Sequence, residues 1–258
     1  MGLYENENRN YYPQTVEGTE WHCDFLWSTH RGCPYDCVYC SSKRLNIRFG
    51  GNPSEIRNLK GEWEQLSLGN IIKRKYFGDK GICVNPYCDI FTLQKNDINQ
   101  IIGFCHDSNS LYQTQFIFQT KNPAKYFDYL DMIPKGSWLG TTIETSRWQD
   151  YELSYISNAP NPGSRYNEMI GLKRLCGNKF RYFITIEPIL KFDERLARWI
   201  NNVNPDLVFI GANTSKIQLP EPSPDEVVEL IETLRKITVV HCKSNLKRLL
   251  PSGFEDVK

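Results

Sequence analysis

The stretch from residue 29 to residue 40 reads THRGCPYDCVYC and places Cys33, Cys37 and Cys40 at a CxxxCxxC spacing. It directly follows Asp24–Ser28, an apolar run typical of a buried strand. Thiolates are soft ligands that suit iron-sulfur clusters, and a short loop can bring three sulfurs to three corners of one cube. The spacing therefore predicts a 4Fe-4S cluster with one iron that has no protein ligand and is open to a chelating cofactor.

Two alternatives to a cluster remain open, a structural zinc site and three unrelated buried thiols. Structural zinc needs four ligands, commonly in two separated pairs, and no second CxxC or HxxxH pair follows the loop. His22 or Cys23, just before the strand, could supply the missing ligand. The position of the three cysteines directly after a strand favours the cluster.

The whole chain has 258 residues, of which 40% are hydrophobic, enough to fill the core of one barrel-sized domain. Its 31 Lys and Arg against 30 Asp and Glu give a formal net charge of +1, so any contact with nucleic acid must be local. An odd number of cysteines without a secretory h-region indicates a cytoplasmic location, and no apolar run approaches the ~20 residues that cross a membrane. We expect residues 1–20 to form an N-terminal arm and residues 21–258 a single domain.

Short apolar runs alternate with amphipathic segments along the chain, which is the pattern of β/α units around a parallel sheet. Strands are predicted at Asp24–Ser28, Gly81–Asn85, Gln115–Gln119, Trp138–Ile143, Arg181–Ile186, Leu207–Ile210 and Ile237–Val240. Helices are predicted near Asp97–His106, Pro123–Met132, Tyr166–Cys176, Asp193–Val203 and Asp225–Lys236. The fold class is therefore α/β, a partial (β/α)6 TIM-type barrel with an additional C-terminal strand. The stretch 45–80 is longer than one crossover needs and is expected to carry an insertion.

Four further segments carry a resemblance to a known family. They are Thr120-Lys121-Asn122-Pro123, Thr141-Thr142-Ile143-Glu144, Ala159-Pro160 with Arg165 and Leu172, and Ile186-Glu187-Pro188-Ile189. With the cysteine loop and the aromatic residue before its last cysteine, they resemble the radical SAM superfamily over roughly residues 22–243. The likeness is nearest to the spore-photoproduct-lyase-like branch and related phage-encoded radical SAM proteins. It implies a cluster that reduces S-adenosylmethionine (SAM), so that a 5′-deoxyadenosyl radical abstracts hydrogen from a substrate.

The resemblance also implies cofactor-binding roles for residues at predicted strand ends, where the active sites of such barrels gather. Asp89 would take the SAM amino group and Lys121 its carboxylate, with Arg147 as a second partner of the carboxylate. The remaining residues assigned to the cofactor are Thr142 and Glu144 near the carboxylate and ribose, Tyr39 and Asn213 near the adenine, and Glu187. A charged side chain at a strand end is also commonly a salt-bridged rim residue, and that alternative stays open.

The sequence departs from the family pattern in two places. The second predicted strand runs into Asn85–Asp89 and lacks the Gly-Gly-Glu common in the superfamily, and Ser41 stands where the branch has a tyrosine. In that branch a cysteine near this strand end returns a hydrogen atom to the product, so Cys88 is a candidate donor and Cys242 its rival. A small buried residue is the alternative for Cys88. The cysteines expected in the core are Cys23, Cys83, Cys105 and Cys176.

The branch implies a nucleic-acid, nucleotide or modified-base substrate, and a base of a polymer would have to be unstacked to enter the barrel. Basic and aromatic residues suited to this are Lys43, Arg44, Arg48, Lys243, Lys247, Arg248, Trp148, Tyr151 and Tyr155. Such residues also occur on ordinary solvated faces and in hydrophobic lids. The alternatives are a radical SAM enzyme acting on a non-nucleotide small molecule and a zinc or iron-sulfur binding protein without turnover. An electron donor such as a flavodoxin or ferredoxin, and DNA, RNA or a nucleotide, are the expected partners.

Overall fold

A computed structural model describes residues 3–6, 12–48, 50–58, 80–150 and 156–254. Its strands are β1 Leu3–Glu5, β2 Phe25–Trp27, β3 His30–Arg31, β4 Arg57–Asn58, β5 Gly81–Val84, β6 Gln115–Thr120, β7 Trp138–Thr142, β8 Arg181–Ile186, β9 Leu207–Ile210 and β10 Val239–Cys242. Its α-helices are α1 Ser41–Arg48, α2 Lys95–Tyr112, α3 Pro162–Cys176, α4 Arg195–Val203 and α5 Pro224–Arg235. Short 3-10 helices cover Ile90–Thr92, Pro123–Tyr129, Trp148–Asp150, Gly177–Lys179 and Ser244–Leu249.

Eight strands form one sheet in the order β1-β2-β5-β6-β7-β8-β9-β10. β1 pairs antiparallel with β2, whereas β2 and the strands from β5 to β10 pair in parallel. Helical segments connect the successive strands from β5 onward, as parallel neighbours require. The predicted α/β fold class, a partial TIM-type barrel with an additional C-terminal strand, is confirmed.

Every strand predicted from the apolar runs belongs to this parallel sheet. The strands at Arg181–Ile186 and Leu207–Ile210 have the predicted bounds. The last strand was expected at Ile237–Val240 but begins at residue 239. The amides of residues 237 and 238 still donate to the carbonyl of Leu234, so the end of α5 delays the strand by two residues.

Some local elements differ from the sequence expectation. The helix expected at Pro123–Met132 is a 3-10 helix, and its Tyr126 hydroxyl donates to the carbonyls of Phe118 and Gly140, which holds the segment against β6 and β7. β1 and the antiparallel pair β3–β4 were not expected, because strands of two or three residues carry no measurable periodicity. Of the predicted insertion at 45–80, residues 59–79 lie outside the described part of the chain.

The outer side of the sheet is packed against the helices. Helix α5 illustrates how the sequence specifies this layer. Ser223 caps it in a capping box with Glu226, and its apolar face is buried, as predicted, through Val227, Leu230, Ile231 and Leu234. None of the described helices is long and apolar enough to cross a membrane.

The inner, concave side of the sheet carries an aromatic group that we call the inner cluster, consisting of Tyr12, Val16, Trp21, Cys23, Leu26, Cys83, Ile117, Trp138, Phe183, Leu207 and Phe209. The ring of Trp21 lies 4.9–5.2 Å from four other rings of the cluster, in edge-to-face geometry. A Cβ at Gly140 would lie 2.3 Å from the Phe183 ring, so this glycine makes room for it. Tyr12 and β1 tie residues before position 20 to the sheet, while the division into an arm and one domain stays a prediction.

Polar side chains follow the inner cluster toward the carboxyl ends of the strands. Side chains alternate between the two faces of a strand, so Gln119 lies on the same face as Ile117, and Thr185 on the same face as Phe183. The packed half of the barrel interior is therefore the amino half. The carboxyl half is the half that can receive a ligand.

Candidate active site at the carboxyl ends of the strands

The cysteine loop, residues 32–40, lies at the carboxyl end of β2. Gly32 has φ +83°, and a Cβ there would lie 1.9 Å from the Glu55 carbonyl oxygen, so only glycine lets the loop begin so close to this segment. The amide of Cys33 donates to the Pro53 carbonyl at 2.9 Å. Two tight turns then bring the amide of Asp36 to the carbonyl of Cys33 and that of Cys40 to Cys37, and α1 begins at the next residue.

The three thiols of the loop are partly or fully buried, and neighbouring thiols contribute to the pKa shifts of Cys33 and Cys37. Burial raises the pKa of Cys33 to about 12, with the Asp89 charge and the Cys37 thiol adding to the shift. Burial also raises the pKa of Cys37, against an opposing effect of Lys121, and Cys40 contributes in the same direction as burial. The Cys37 sulfur lies 3.0 Å from the Ser157 hydroxyl. A bound cation would reverse these shifts, because it stabilises thiolates.

Three thiols in one loop are a donor set that suits a four-iron cube, which takes one thiolate at each of three corners. Within the described residues, no three His, Cys, Asp or Glu side chains converge as ligands of one metal ion. His22 and Cys23, which could have completed a zinc site, precede β2 and so lie at its amino end. The Cys23 thiol forms a hydrogen bond with the thiol of Cys83 in the inner cluster, away from the loop.

Asp89 lies beside the cysteine loop and is held by its neighbours. Its carboxylate accepts bonds from the Thr120 hydroxyl at 2.9 Å, from the Lys121 amide at 2.7 Å and from the Phe91 amide at 3.1 Å. Burial raises the pKa of Asp89, and these donors partly offset the shift. Its own amide donates a hydrogen bond to the Cys33 thiol, so the carboxylate is fixed next to a cysteine of the loop.

Lys121 and Glu144, predicted at the ends of β6 and β7, form a buried ion pair with Nζ and Oε1 2.5 Å apart. Tyr39 joins them, because its hydroxyl accepts from Lys121 at 2.8 Å and donates to Glu144. Arg165 of α3 donates to the other carboxylate oxygen of Glu144 at 2.8 Å and to the carbonyl of Thr142 at 2.7 Å. Three residues predicted from the resemblance thus meet at one point, joined by an arginine that had been given no role.

The ionisation of Glu144 is governed by these cations. Burial alone would raise its pKa, but Arg165 and Lys121 outweigh burial and hold the pKa of Glu144 at about 2. The side chain of Arg165 is 2% exposed and that of Lys121 17% exposed. The arginine is therefore the fixed partner of the carboxylate, and the lysine is the one that a ligand can reach.

A hydrogen-bonded layer that we call the polar floor lies beneath this ion pair and consists of Tyr12, Gln119, Thr142 and Thr185. The amide nitrogen of Gln119 donates to the hydroxyls of Thr142 at 3.1 Å and Thr185 at 3.2 Å, and its oxygen accepts from the Tyr12 hydroxyl at 2.5 Å. Tyr12 belongs to the inner cluster, so this network joins the packed half of the barrel to the polar half. Only Thr142 among these residues was predicted from the sequence as a site residue.

The remaining predicted site residues occupy separate places. Glu187 follows β8 and accepts from Lys243 and Asn245, both at 2.6 Å. Asn213 uses its side chain within its own loop, donating to the Ile217 carbonyl at 2.7 Å. Arg147 lies three residues beyond Glu144, and its amide closes a turn on the Thr145 hydroxyl at 2.9 Å.

The two candidate hydrogen donors are both buried in the outer layer. Cys88 is 4% exposed, and its sulfur lies 3.7 Å from the carbonyl of Asp89; burial and the Cys33 thiol raise its pKa. Cys242 is 8% exposed and packs on the helical side of β10. The core positions expected for Cys23, Cys83 and Cys105 are confirmed, while Cys176 is half-buried.

Three of the six basic residues expected on the rim pair with acids, and one of them is Lys243. Lys43 pairs with Asp36 at 2.7 Å, and Arg248 pairs with Glu221. Trp148 packs against the start of α3, where a Cβ at Gly163 would lie 2.7 Å from its indole nitrogen. The two tyrosines expected in the same loop, Tyr151 and Tyr155, lie outside the described residues.

Sequence reasoning missed residues that help to build the site. Arg165 belongs to a segment that carries the family resemblance, but it was given no function. Gln119 is a polar residue at a core-facing strand position, and this pattern could have revealed it. Tyr12 lies in a segment without apolar pattern and gave no signal. Their roles depend on contacts between residues distant in sequence.

No protein-family model matches the chain, and no curated protein matches it by sequence. Its fold is similar to solved structures of spore photoproduct lyase. A mutant of that enzyme with bound AdoMet and dinucleoside spore photoproduct gives a TM-score of 0.56 at 14% identity, covering 92% of this chain and 78% of the lyase chain. The lyase complexed with dinucleoside spore photoproduct gives the same score and identity, covering 92% of this chain and 77% of the lyase chain. Streptococcus suis SuiB gives 0.51 at 12% identity, covering 87% of this chain and 51% of its own. The resemblance inferred from the sequence is confirmed as a likeness of fold.

Proposed function

We propose that this chain is a radical SAM enzyme that holds a 4Fe-4S cluster on Cys33, Cys37 and Cys40 and acts on a nucleic-acid, nucleotide or modified-base substrate. The observation that carries the proposal is the meeting of a three-thiol loop and a buried Lys121–Glu144 pair at the carboxyl ends of one partial barrel. The similarity of fold to spore photoproduct lyase, solved with bound AdoMet, supports it.

In this proposal the protein positions the cofactors, which would supply reductive cleavage of a sulfonium bond when bound. Lys121 is the proposed partner of the SAM carboxylate, because it is the more exposed cation on Glu144 and can turn away from it. Arg165 would keep Glu144 ionised during that exchange. Asp89 is proposed to meet the amino group, and Tyr39 to lie against the adenine.

The substrate class follows from the branch resemblance and from the charges around the cleft. Because Lys43, Lys243 and Arg248 each pair with a carboxylate, the rim offers less free positive charge than a polymer-binding surface normally has. This favours a free nucleotide or base over a nucleic acid. The same observation supports the second candidate, a non-nucleotide small molecule.

Two further parts of the proposal concern hydrogen and electron supply. Both cysteines belong to the outer layer, and Cys88 remains the proposed hydrogen donor in preference to Cys242 because Cys88 neighbours Cys33 of the cysteine loop. The proposed partner is a small electron carrier such as a flavodoxin or ferredoxin.

The experiment that tests the proposal is reduction of SAM by the reconstituted protein. The chain is loaded with iron and sulfide under anaerobic conditions, reduced with dithionite and incubated with SAM. We expect 5′-deoxyadenosine to form in proportion to bound iron. A brown, iron-loaded protein that leaves SAM intact would instead support a binding protein without turnover, and a colourless protein that retains zinc would support the structural-metal alternative.

A further inference from the structure

A second polar cluster lies across the cleft from the cysteine loop, after β8, β9 and β10. We call it the Lys243 cluster, consisting of Glu187, Gly211, Lys243 and Asn245. The Lys243 ammonium and the Asn245 amide each donate to one oxygen of Glu187 at 2.6 Å. The side chain of Lys243 is 5% exposed and that of Glu187 23% exposed. The cluster therefore lies in the wall of the barrel mouth, with the carboxylate reachable from outside.

The chain is shaped to hold this carboxylate in one orientation. A Cβ at Gly211 would lie 2.6 Å from Glu187 Oε1 and 2.9 Å from Asn245 Oδ1, so a larger residue would displace both groups. Asn245 Oδ1 accepts from the amide of Ala212 at 3.2 Å, which leaves its NH2 group for Glu187. The Lys243 ammonium lies 4.8 Å from the centroid of the Tyr12 ring, a cation–π contact. The cluster and the floor beneath Lys121 thus share Tyr12.

The charges of the cluster identify the kind of ligand that it fits. Lys243 and Glu187 neutralise each other, so together they attract an anion such as phosphate only weakly. The ammonium is buried behind the carboxylate, and each carboxylate oxygen has a lone pair beyond the one that accepts from Lys243 or Asn245. The complementary group is therefore a neutral N–H donor, as in the amide or imide of a ring.

We propose that the Lys243 cluster is the ligand-reading site of the cleft, with Glu187 accepting from the N–H of a lactam or imide ring, while Lys243 and Asn245 hold the Glu187 carboxylate in place. The inference deepens the proposed function, on which it rests, by naming the edge through which the substrate is held. It moves Glu187 from the cofactor to the substrate. It also separates the mouth into a cofactor half after β2 to β7 and a substrate half after β8 to β10.

The test compares two nucleosides on the full chain by titration calorimetry. Uridine is the probe because its ring carries an imide, and N3-methyluridine keeps both carbonyls but lacks the N–H. We expect uridine to bind about tenfold more tightly than its methyl derivative, because the methyl group replaces the N–H from which Glu187 would accept. Equal binding of the two, absence of uridine binding, or displacement of uridine by inorganic phosphate would each overturn the inference.

A pair of double variants tests the residues themselves. Lys243→Met with Glu187→Gln removes both charges without leaving either one alone, and we expect it to bind uridine about tenfold more weakly. The control is Lys191→Met with Glu226→Gln, an ion pair of the same 2.6 Å length whose side chains are each 35% exposed. Unchanged uridine affinity in the first variant would contradict the assignment. Should circular dichroism show that variant unfolded, the nucleoside comparison on the unaltered chain decides.

The same preparations distinguish failure of this inference from failure of the proposed function. Each is reconstituted with iron and sulfide and assayed for SAM cleavage without substrate. Protein that cleaves SAM but binds both nucleosides alike refutes the Lys243 cluster as the reading site and leaves the enzyme proposal standing. Protein that prefers uridine but leaves SAM intact retains the binding site and refutes the enzyme.

Discussion

Glu144 is the residue on which two cations, Arg165 and Lys121, converge. Arg165 and Lys121 occupy different oxygens of its carboxylate, and both lie in a buried setting. An ion pair of this kind stabilises only while both charges are present, because breaking one side leaves an unpaired buried charge. The residue therefore links the stability of the fold to the chemistry of the cleft.

The low pKa of Glu144 predicts how stability depends on pH. A carboxyl group with a folded pKa of about 2 and an unfolded value near 4.5 stabilises the fold at neutral pH, and this contribution is lost as pH falls from about 5 to about 2. It amounts to roughly 3 kcal/mol. Glu144→Gln should lower the free energy of unfolding at pH 7 and reduce the loss on acidification. Urea unfolding of both proteins at several pH values measures this, and parallel pH curves would contradict the account.

Lys121 gives a prediction about the cofactor rather than the fold. Lys121→Ala should keep the iron but weaken SAM binding about tenfold, because a charge-assisted bond to the carboxylate is lost. The control is Lys191→Ala, which removes a lysine that is paired with Glu226 instead of Glu144. Equilibrium binding of SAM to the reconstituted proteins measures the effect. Unchanged affinity in Lys121→Ala would move the carboxylate contact to Arg147.

The sequence predicted individual residues where a short motif carried the chemistry. Lys121, Glu144 and Tyr39 were named from the resemblance of their segments to the radical SAM superfamily, and the structure brings them into contact. Arg165 received no role because its contact with Glu144 spans a crossover and depends on how α3 packs. Lys243 was interpreted as a rim cation, since a sequence cannot show which acid a base will meet.

At the scale of elements, a small residue on one strand of the barrel lies beside a large residue on the next strand within the inner cluster. β7 contributes Gly140 where β8 contributes Phe183, and the ring fills the space that a side chain on β7 would take. The polar floor begins two residues later on the same faces. Packing in the amino half thus fixes the height at which the cleft starts.

Gly140→Ala should destabilise the protein by about 1–3 kcal/mol, because its Cβ would lie 2.3 Å from the ring of Phe183 and a packed core cannot absorb the overlap. Gly103→Ala in α2 is the control, since a Cβ there meets nothing within 4 Å and alanine favours a helix by roughly 0.5–1 kcal/mol. Thermal unfolding of both variants measures the difference. A Gly140→Ala protein as stable as the parent would refute the described packing.

Elements were predictable in proportion to their length and periodicity. The buried strands and α5 follow from apolar runs and capping residues, and their positions hold to within two residues. β1 and the β3–β4 pair lie below that limit, and their partners are set by tertiary contacts. The 3-10 helix at Pro123–Tyr129 differs because the bonds of Tyr126 to two strands override helical propensity.

At the scale of the whole molecule, the balance of charge is the feature that most constrains the substrate. The formal net charge is +1, and three of the six basic residues expected on the rim pair with acids. Binding of a DNA or RNA oligomer should therefore be weak and should decline only shallowly with salt, since few counterions would be released. Gel shifts at several salt concentrations check this. A steep salt dependence would return the polymer to first place among the substrates.

Cys33, Cys37 and Cys40 are proposed to hold a cluster, and the most direct measurement of this is the amount of iron per chain after anaerobic reconstitution. We expect about four irons in the unaltered protein and close to none in Cys37→Ala, because two thiolates cannot keep the cube. Cys176→Ala, which removes a half-buried thiol of α3 far along the chain, should keep all of its iron. An unaltered protein without iron, or a Cys37→Ala protein that retains it, would contradict the account.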